Sequence, residues 1–226
     1  MAKAVDRAYQ HIRDSILRGR FAPAQRLTEQ MLVKDCGVSR TPVREALHRL
    51  AAENYVTMAR NQGAQVKDWN RHDVEDLYML RATLEGLAAS RAAERIAAPD
   101  LAELERLIDA MDEALARRDS VDAKIGTFLE LNGQMHRLIW RAAASERLEE
   151  MLRHLVDQAL VARTATNFTL ERLVLSQQHH RELLRALSAG DAMWAEGLMR
   201  SHIRAAQDDL VDQIGPRPLP ALASAS

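Results

Sequence analysis

Apolar residues fall along this chain in two regimes: a short-period, mixed pattern at the start, then a helical pattern for most of the remaining length. Val5, Tyr9, Ile12 and Ile16 recur at helical spacing within residues 5–17, and Gly19 follows as a stop. This predicts a first helix. Thr28 can cap a short second helix carrying Met31 and Leu32 and ending at Gly37. In the run from Ser39 to Leu50, Thr41 offers a cap and Pro42 suits a first helical turn. Two helices across the tight Cys36-Gly37-Val38 turn make a helix-turn-helix. Beyond it, Tyr55 to Met58 and Ala64 to Val66 flank Arg60-Asn61-Gln62-Gly63, which reads as a small β-hairpin, a wing.

From His72 onward the pattern stays helical, with short breaks at Ala98-Pro99, Asp119-Ser120, Ala144-Ser145, Thr166-Asn167 and Gly190-Asp191. About six helices of about twenty residues, joined by short loops, imply an antiparallel bundle. The expected fold class is therefore mainly α, a winged helix-turn-helix followed by that bundle. The expected division is a reader at 1–68, an all-helical domain at 69–213 and a disordered tail at 214–226, where Pro, Ala and Ser dominate.

Composition supports the helical reading and adds a polarity between the two ends. Of 226 residues, 47% are hydrophobic but only 4% aromatic, and the apolar content is mostly Leu, Ala, Val, Ile and Met, which suits helices better than a β-sandwich. The net charge of −1 hides a strong asymmetry. Residues 1–67 hold 12 Lys+Arg against 6 Asp+Glu, a balance of +6, and the rest holds 19 against 26, a balance of −7. A basic segment on an acidic partner is the footprint of a tethered DNA reader, because only the docking part meets the phosphates. The first fifteen residues lack a signal-peptide core and no run approaches membrane-spanning length, so a soluble, cytoplasmic protein is expected. The single cysteine, Cys36, excludes an internal disulfide and reads as a small buried hydrophobe.

The second helix of a helix-turn-helix enters the major groove with its N-terminal turn, where Arg bonds guanine and hydroxyls hold phosphate. Ser39, Arg40, Thr41, Arg44 and Arg49 are arranged for double-stranded operator DNA, with Arg40 and Arg44 one turn apart. The alternative is that Arg44 and Arg49 are solvated charges paired with Glu45 or Glu53. The string Gly37 to Leu47, preceded by Pro23…Arg26-Leu27-Thr28-Glu29 and followed by Gly63, resembles the GntR family of bacterial transcription factors. The resemblance implies that Arg40, Thr41, Arg44 and the wing glycine Gly63 contact the operator. Members often carry Arg where this chain has Gln30, which would remove a phosphate contact.

In the helix that starts near Ser120, Val121, Ile125, Phe128, Leu129, Ile139 and Trp140 form a stripe that also contains Asn132 and His136. His180 lies among Leu173, Leu184 and Leu187, and His202 lies near the side marked by Trp194, Leu198, Ala205 and Ala206. Three inward imidazoles and an amide oxygen could converge on one divalent metal, although each histidine alone also reads as a satisfied core residue. The spacings Asn132-x-x-Met135-His136, His180-x5-Ala186-x3-Gly190-Asp191 and Met199-x2-His202 resemble the FCD domain of the FadR branch of the GntR family. That resemblance implies Asn132, His136, His180 and His202 as ligands of a divalent transition metal, Zn or Ni foremost. Asn replaces the commoner Asp at 132, so the site would stay at +2 and welcome an anion, at some risk to metal retention. His179 is the competing histidine, but its position turns it off His180's face.

Arg81 sits on the stripe of Val74, Leu77, Tyr78, Leu84 and Ala88 rather than opposite it, and an inward arginine needs an anion. Glu85, one turn on, is one candidate; a small carboxylate effector is the other, and the two are compatible if Glu85 orients Arg81. The expected activity is that of a sequence-specific DNA-binding transcriptional regulator, not an enzyme, acting as a homodimer whose DNA affinity responds to an organic acid bound, through a metal, in the bundle, with repression and activation both open. A metal-dependent hydrolase and a constitutive DNA binder without effector are the competing readings.

Overall fold

In the computed structural model of the chain, which describes residues 2–59, 63–68, 70–156 and 169–211, the first element is α1 (Ala2–Leu17). It buries Tyr9, Ile12 and Ile16 of the expected stripe, with Ala8 beside them, and leaves Val5 half-buried. After β1 (Arg26–Leu27), Thr28 Oγ1 accepts the Met31 amide at 3.2 Å and caps α2 (Glu29–Cys36), and Gly37 closes it in the left-handed region at φ 63°. Then α3 (Arg40–Ala52) buries Pro42, Val43, Ala46, Leu47 and Leu50 and leaves the face between them to solvent. The cap of α3 differs from expectation: extended Ser39 at ψ 174° precedes the first helical residue, so the helix starts before Thr41. Pro42 still lies in the first turn, where no amide donor is missed.

The wing is β2 (Val56–Ala59) and β3 (Gly63–Val66), antiparallel with Met58 opposite Ala64. A third strand that the pattern does not reveal, β1, pairs with the outer side of β3 to give the order β1-β3-β2. Two residues are too few to display alternation. Gly63 has a backbone reason to be glycine: its φ is +89° and a Cβ would stand 2.1 Å from the Leu27 carbonyl oxygen. The tip residues Arg60-Asn61-Gln62, the break at Thr166-Asn167 and the tail lie outside the described residues.

The helical part comprises α4 (Arg71–Ala93), α5 (Ala98–Ala116), α6 (Val121–Ala142), α7 (Glu146–Val156), α8 (Leu170–Ser188) and α9 (Ala192–Val211). Helix α4 starts in a capping box, with Asn70 and Asp73 each satisfying the other's backbone amide. Its most extensive packing is along α9, and α5 packs along α6. Buried alanines at 82, 88, 89, 92 and 93 let neighbours approach α4 closely, and Gly86 is tighter still, since a Cβ there would meet Arg200 Cγ at 2.7 Å. Tyr78, Leu104, Ile108, Met111 and Phe128 fill the interior, each contributing about 1.5–3 kcal/mol on burial.

Two expected inward positions turn outward. Val121 is 50% exposed because it opens α6 at the end of the bundle. Trp194 is 41% exposed because the inward stripe of α9 is Ala195, Met199, His202 and Ile203, one residue out of phase with it. Cys36 is buried, and burial pushes its thiol up to about 11. Among the described residues, no helix is long and apolar enough to cross a membrane.

Candidate functional site

Burying Val43, Ala46, Leu47 and Leu50 turns the opposite face of α3 outward, and Ser39, Arg40, Thr41, Arg44 and Arg49 are all exposed. Arg44 forks onto Glu29 of α2, with Nε and Nη2 at 3.0 and 3.2 Å from its two oxygens. The hydrogen bond from Arg44 holds the Glu29 carboxyl below its ordinary value. Its partner is thus neither Glu45 nor Glu53. Arg49 does meet Glu53, at 3.3 Å, and also Asp6 at 3.4 Å, with its guanidinium 3.8 Å over the Tyr9 ring. It ties the end of α3 to α1, while Ser39, Arg40, Thr41 and Arg44 cluster at the start of α3. Gln30, also exposed, stands beside the Glu29–Arg44 pair. Gly63 is buried at the start of β3.

Three bundle helices bring His136 (α6), His180 (α8) and His202 (α9) together, all buried, with one ring nitrogen from each within 4.8 Å of the others. Ring centroids are 4.8 Å apart for His180–His202 and 5.3 Å for His136–His202. Two of the imidazoles are oriented from outside the cluster. Nδ1–H of His136 donates to Glu85 Oε2 at 2.5 Å, leaving Nε2 buried and without a hydrogen-bond partner. Nδ1–H of His180 donates to Gln177 Oε1 at 3.0 Å, and Gln177 Nε2–H donates to the Ile108 carbonyl at 2.6 Å. The Nε2 lone pair of His180 then faces the Ser176 hydroxyl at 3.3 Å. Nδ1 of His202 and Oδ1 of Asn132 are likewise buried without a hydrogen bond.

Burial, followed by the neighbouring imidazoles, pushes His180 and His202 well below the ordinary histidine value. Both are neutral at pH 7, the state in which imidazole is a ligand. Partnerless ring nitrogens on His136 and His202, a partnerless amide oxygen on Asn132, and outer hydrogen bonds that fix His136 and His180 suit a divalent N/O-ligated metal, so the residues fit such an ion. His179 does not join the trio: it is half-buried on the next face, with its ring edge-on to His202 at 5.8 Å.

Arg81 and Glu85 lie behind the trio, 7% and 0% exposed. Arg81 Nε donates to Glu85 Oε1 at 3.1 Å, and Trp140 Nε1 reaches Glu85 Oε2 at 3.3 Å. Burial alone would raise the Glu85 carboxyl, but His136 and Arg81 outweigh it and hold it well below the usual range. Glu85 is thus more than a partner for Arg81, since it also orients His136. Sequence gave one signal of this, its helical register with Arg81. Gln177 and Ser176 carried none beyond their place beside His180.

A cavity of about 620 Å³ opens from this cluster, and Asn132, His136, His202 and Arg81 are among its walls. Its size falls in the range of small-molecule sites, about 300–1,000 Å³. Tyr9, Arg13, Glu53 and Tyr55 of the N-terminal lobe also line it. Tyr9 OH donates to Glu53 Oε2 at 2.5 Å, and Arg13 Nε donates to Tyr55 OH at 3.0 Å.

Compared with known proteins, residues 4–66 match the family described as bacterial regulatory proteins, gntR family, and residues 76–205 match the FCD domain. The HTH-type transcriptional regulator YdhC of Bacillus subtilis (strain 168) is 28% identical over 149 residues, which are 66% of this chain and 65% of that protein. The HTH-type transcriptional repressor GlaR of Escherichia coli (strain K12) is 28% identical over 205 residues, covering 86% of this chain and 90% of that one. Among solved structures, E. coli McbR/YncC shares the fold at a TM-score of 0.71 and 23% identity, over 94% of this chain and 99% of that one.

Proposed function

The chain belongs to the GntR family of bacterial regulatory proteins, with an FCD domain behind its DNA-binding segment, and from that premise we propose a cytoplasmic transcriptional repressor of the FadR branch, governed by a small organic acid. The reader is residues 1–68 and the sensor residues 69–213. Ser39, Arg40, Thr41 and Arg44 enter the major groove of operator DNA, Arg49 braces the end of that helix against α1, and the wing follows Gly63 toward the backbone.

One observation carries the sensor reading: three buried imidazoles offer ring nitrogens within 4.8 Å of one another, and two of them, His136 and His202, each with a ring nitrogen lacking a partner, line a cavity together with Asn132 and Arg81. Asn132, His136, His180 and His202 would hold Zn or Ni. Bound there, the ion would supply a Lewis-acidic centre with open positions for a carboxylate. With a neutral amide at 132, no ligand charge offsets its +2, which favours an anionic effector. Glu85 fixes the His136 ring, Gln177 fixes His180, and Arg81, braced at Nε by Glu85, offers its remaining N–H groups to the acid.

Two copies would act together, since each presents one recognition helix to one half-site. Met79, Leu80 and Leu87 form an exposed apolar stripe on α4 suited to self-association. A hydrolase reading finds no support: the matching families are regulatory, and Glu85 is committed to Arg81, His136 and Trp140 rather than placed as a base.

The test is metal analysis with thermal unfolding. Zn²⁺ at about 100 times its Kd should stabilise the protein by about 2.7 kcal/mol, a rise of about 5–10 °C for a chain of this size. The His180→Ala/His202→Ala variant should lose the rise. Metal-free purified protein that does not respond to Zn²⁺ or Ni²⁺ would overturn the metal site and leave the reader standing.

A further inference from the structure

The cavity beside the imidazole cluster is lined by residues of both lobes. Arg13 of α1 and Glu53 at the end of α3 are walls of the same space as His136 and Arg81. The guanidinium of Arg13 is half-buried and held: its Nε donates to the Tyr55 hydroxyl at 3.0 Å, its charge lies 5.7 Å from the Tyr55 ring, and its Nη1 stands 3.8 Å from the exposed Asp14 carboxylate, which leaves the pair screened by water. Charge in the walls is one-sided. Arg13, Arg81, Arg137, Arg153 and Arg172 line the cavity, and Glu53 is the one carboxylate among the described lining residues. Both oxygens of Glu53 are already engaged, by Tyr9 OH and by Arg49.

We infer that the natural ligand is a small acid with two separated anionic groups, one held at the imidazole and Arg81 end and the other at Arg13 of the reader. A monocarboxylic acid would answer one of these groups of cations and leave the other, because Arg81 and Arg13 line the same space from different lobes. A second anionic group desolvated against a fixed guanidinium makes charge-assisted hydrogen bonds, the strong class. Because Arg13 belongs to α1, which packs on the recognition helix α3, such a ligand spans the two lobes and favours one mutual orientation of them. The inference rests on the organic-acid reading above and names the class of acid.

The experiment uses full-length, Zn²⁺-loaded protein and calorimetric titration with chain-matched probes. Succinate, glutarate and adipate carry two carboxylates, butyrate and hexanoate carry one, and 3-phosphoglycerate separates a phosphate-bearing acid from a dicarboxylate. At least one two-anion probe should bind about tenfold tighter than the monocarboxylates. Arg13→Gln should bring that ratio within about threefold, and Arg13→Lys, which keeps the charge, should retain part of it. Monocarboxylates binding as well as dianions, or a ratio untouched in Arg13→Gln while Arg13→Lys folds and binds as wild type, overturns this inference alone. Binding by none of the probes, in protein that still takes up Zn²⁺, overturns the organic-acid reading with it.

Discussion

On α3 the guanidinium groups of Arg40 and Arg44 are exposed, Arg44 in an open ion pair with Glu29, whereas on α4 Arg81 and Glu85 are 7% and 0% exposed and locked to each other, with Glu85 also held to His136. The same residue type thus works under opposite terms in the two lobes. Exposed arginines contribute little to folding, because water and salt already satisfy them, so they can be spent on phosphates and base edges. Buried charges must be compensated residue by residue, so the sensor's chemistry and its stability are one system. A substitution in the reader should therefore separate function from folding. A substitution of the sensor's buried charges, Arg81 or Glu85, should not.

The largest effect is expected at Glu85. Glu85→Ala strands Arg81, His136 and Trp140 at once, and should cost about 3–5 kcal/mol of unfolding free energy in a urea titration. A loss below about 1 kcal/mol would mean that this cluster is wetter than it looks. Next is Arg40→Ala, which should weaken binding to a selected operator duplex by about 1–3 kcal/mol with thermal stability changed by no more than about 0.5 kcal/mol. Equal losses of folding and binding would erase the contrast between the lobes.

The smallest effect is a pH dependence confined to the sensor. His180 and His202 are depressed by burial and by neighbouring imidazoles. In acid the unfolded chain therefore takes up protons at these sites that the folded chain refuses, so stability falls as pH drops below about 6.5. Metal-free protein followed from pH 7 to 6, a range centred on the unfolded value of about 6.5, should lose at most about 0.7 kcal/mol per histidine. His180→Ala/His202→Ala should flatten the slope. Glu85 adds a separate acid loss at lower pH, since its carboxyl is held below the unfolded value and stabilises only while ionised.

How far each lobe can be read from sequence follows the same division. The reader's elements rest on local signals: the Thr28 cap, Gly37 in the left-handed turn, and arginines on the face opposite Val43 and Leu47. What escapes is non-local, as with β1, which exists only by pairing to β3 some forty residues on, and with Gly63, whose need for no Cβ comes from the Leu27 carbonyl. Helical periodicity was enough to turn His136, His180 and His202 inward. It could not show that Glu85 reaches His136, 51 residues away, because Arg81 one turn earlier already accounts for that carboxylate. Nor does any local pattern announce that Arg13 of the reader borders the sensor's cavity. Trp194 was misplaced because a single-residue phase error on α9 exchanges a wall for the surface.

The most direct measurement is the operator affinity of full-length, Zn²⁺-loaded protein on a duplex selected from a random pool, with and without the tightest-binding acid, in wild type and in His180→Ala/His202→Ala. We expect both proteins to prefer the selected duplex, the acid to change the wild-type affinity at least about fivefold, and the variant to ignore the acid. An acid response that survives loss of both imidazoles, or a wild type that prefers no duplex over random competitor, would contradict this reading.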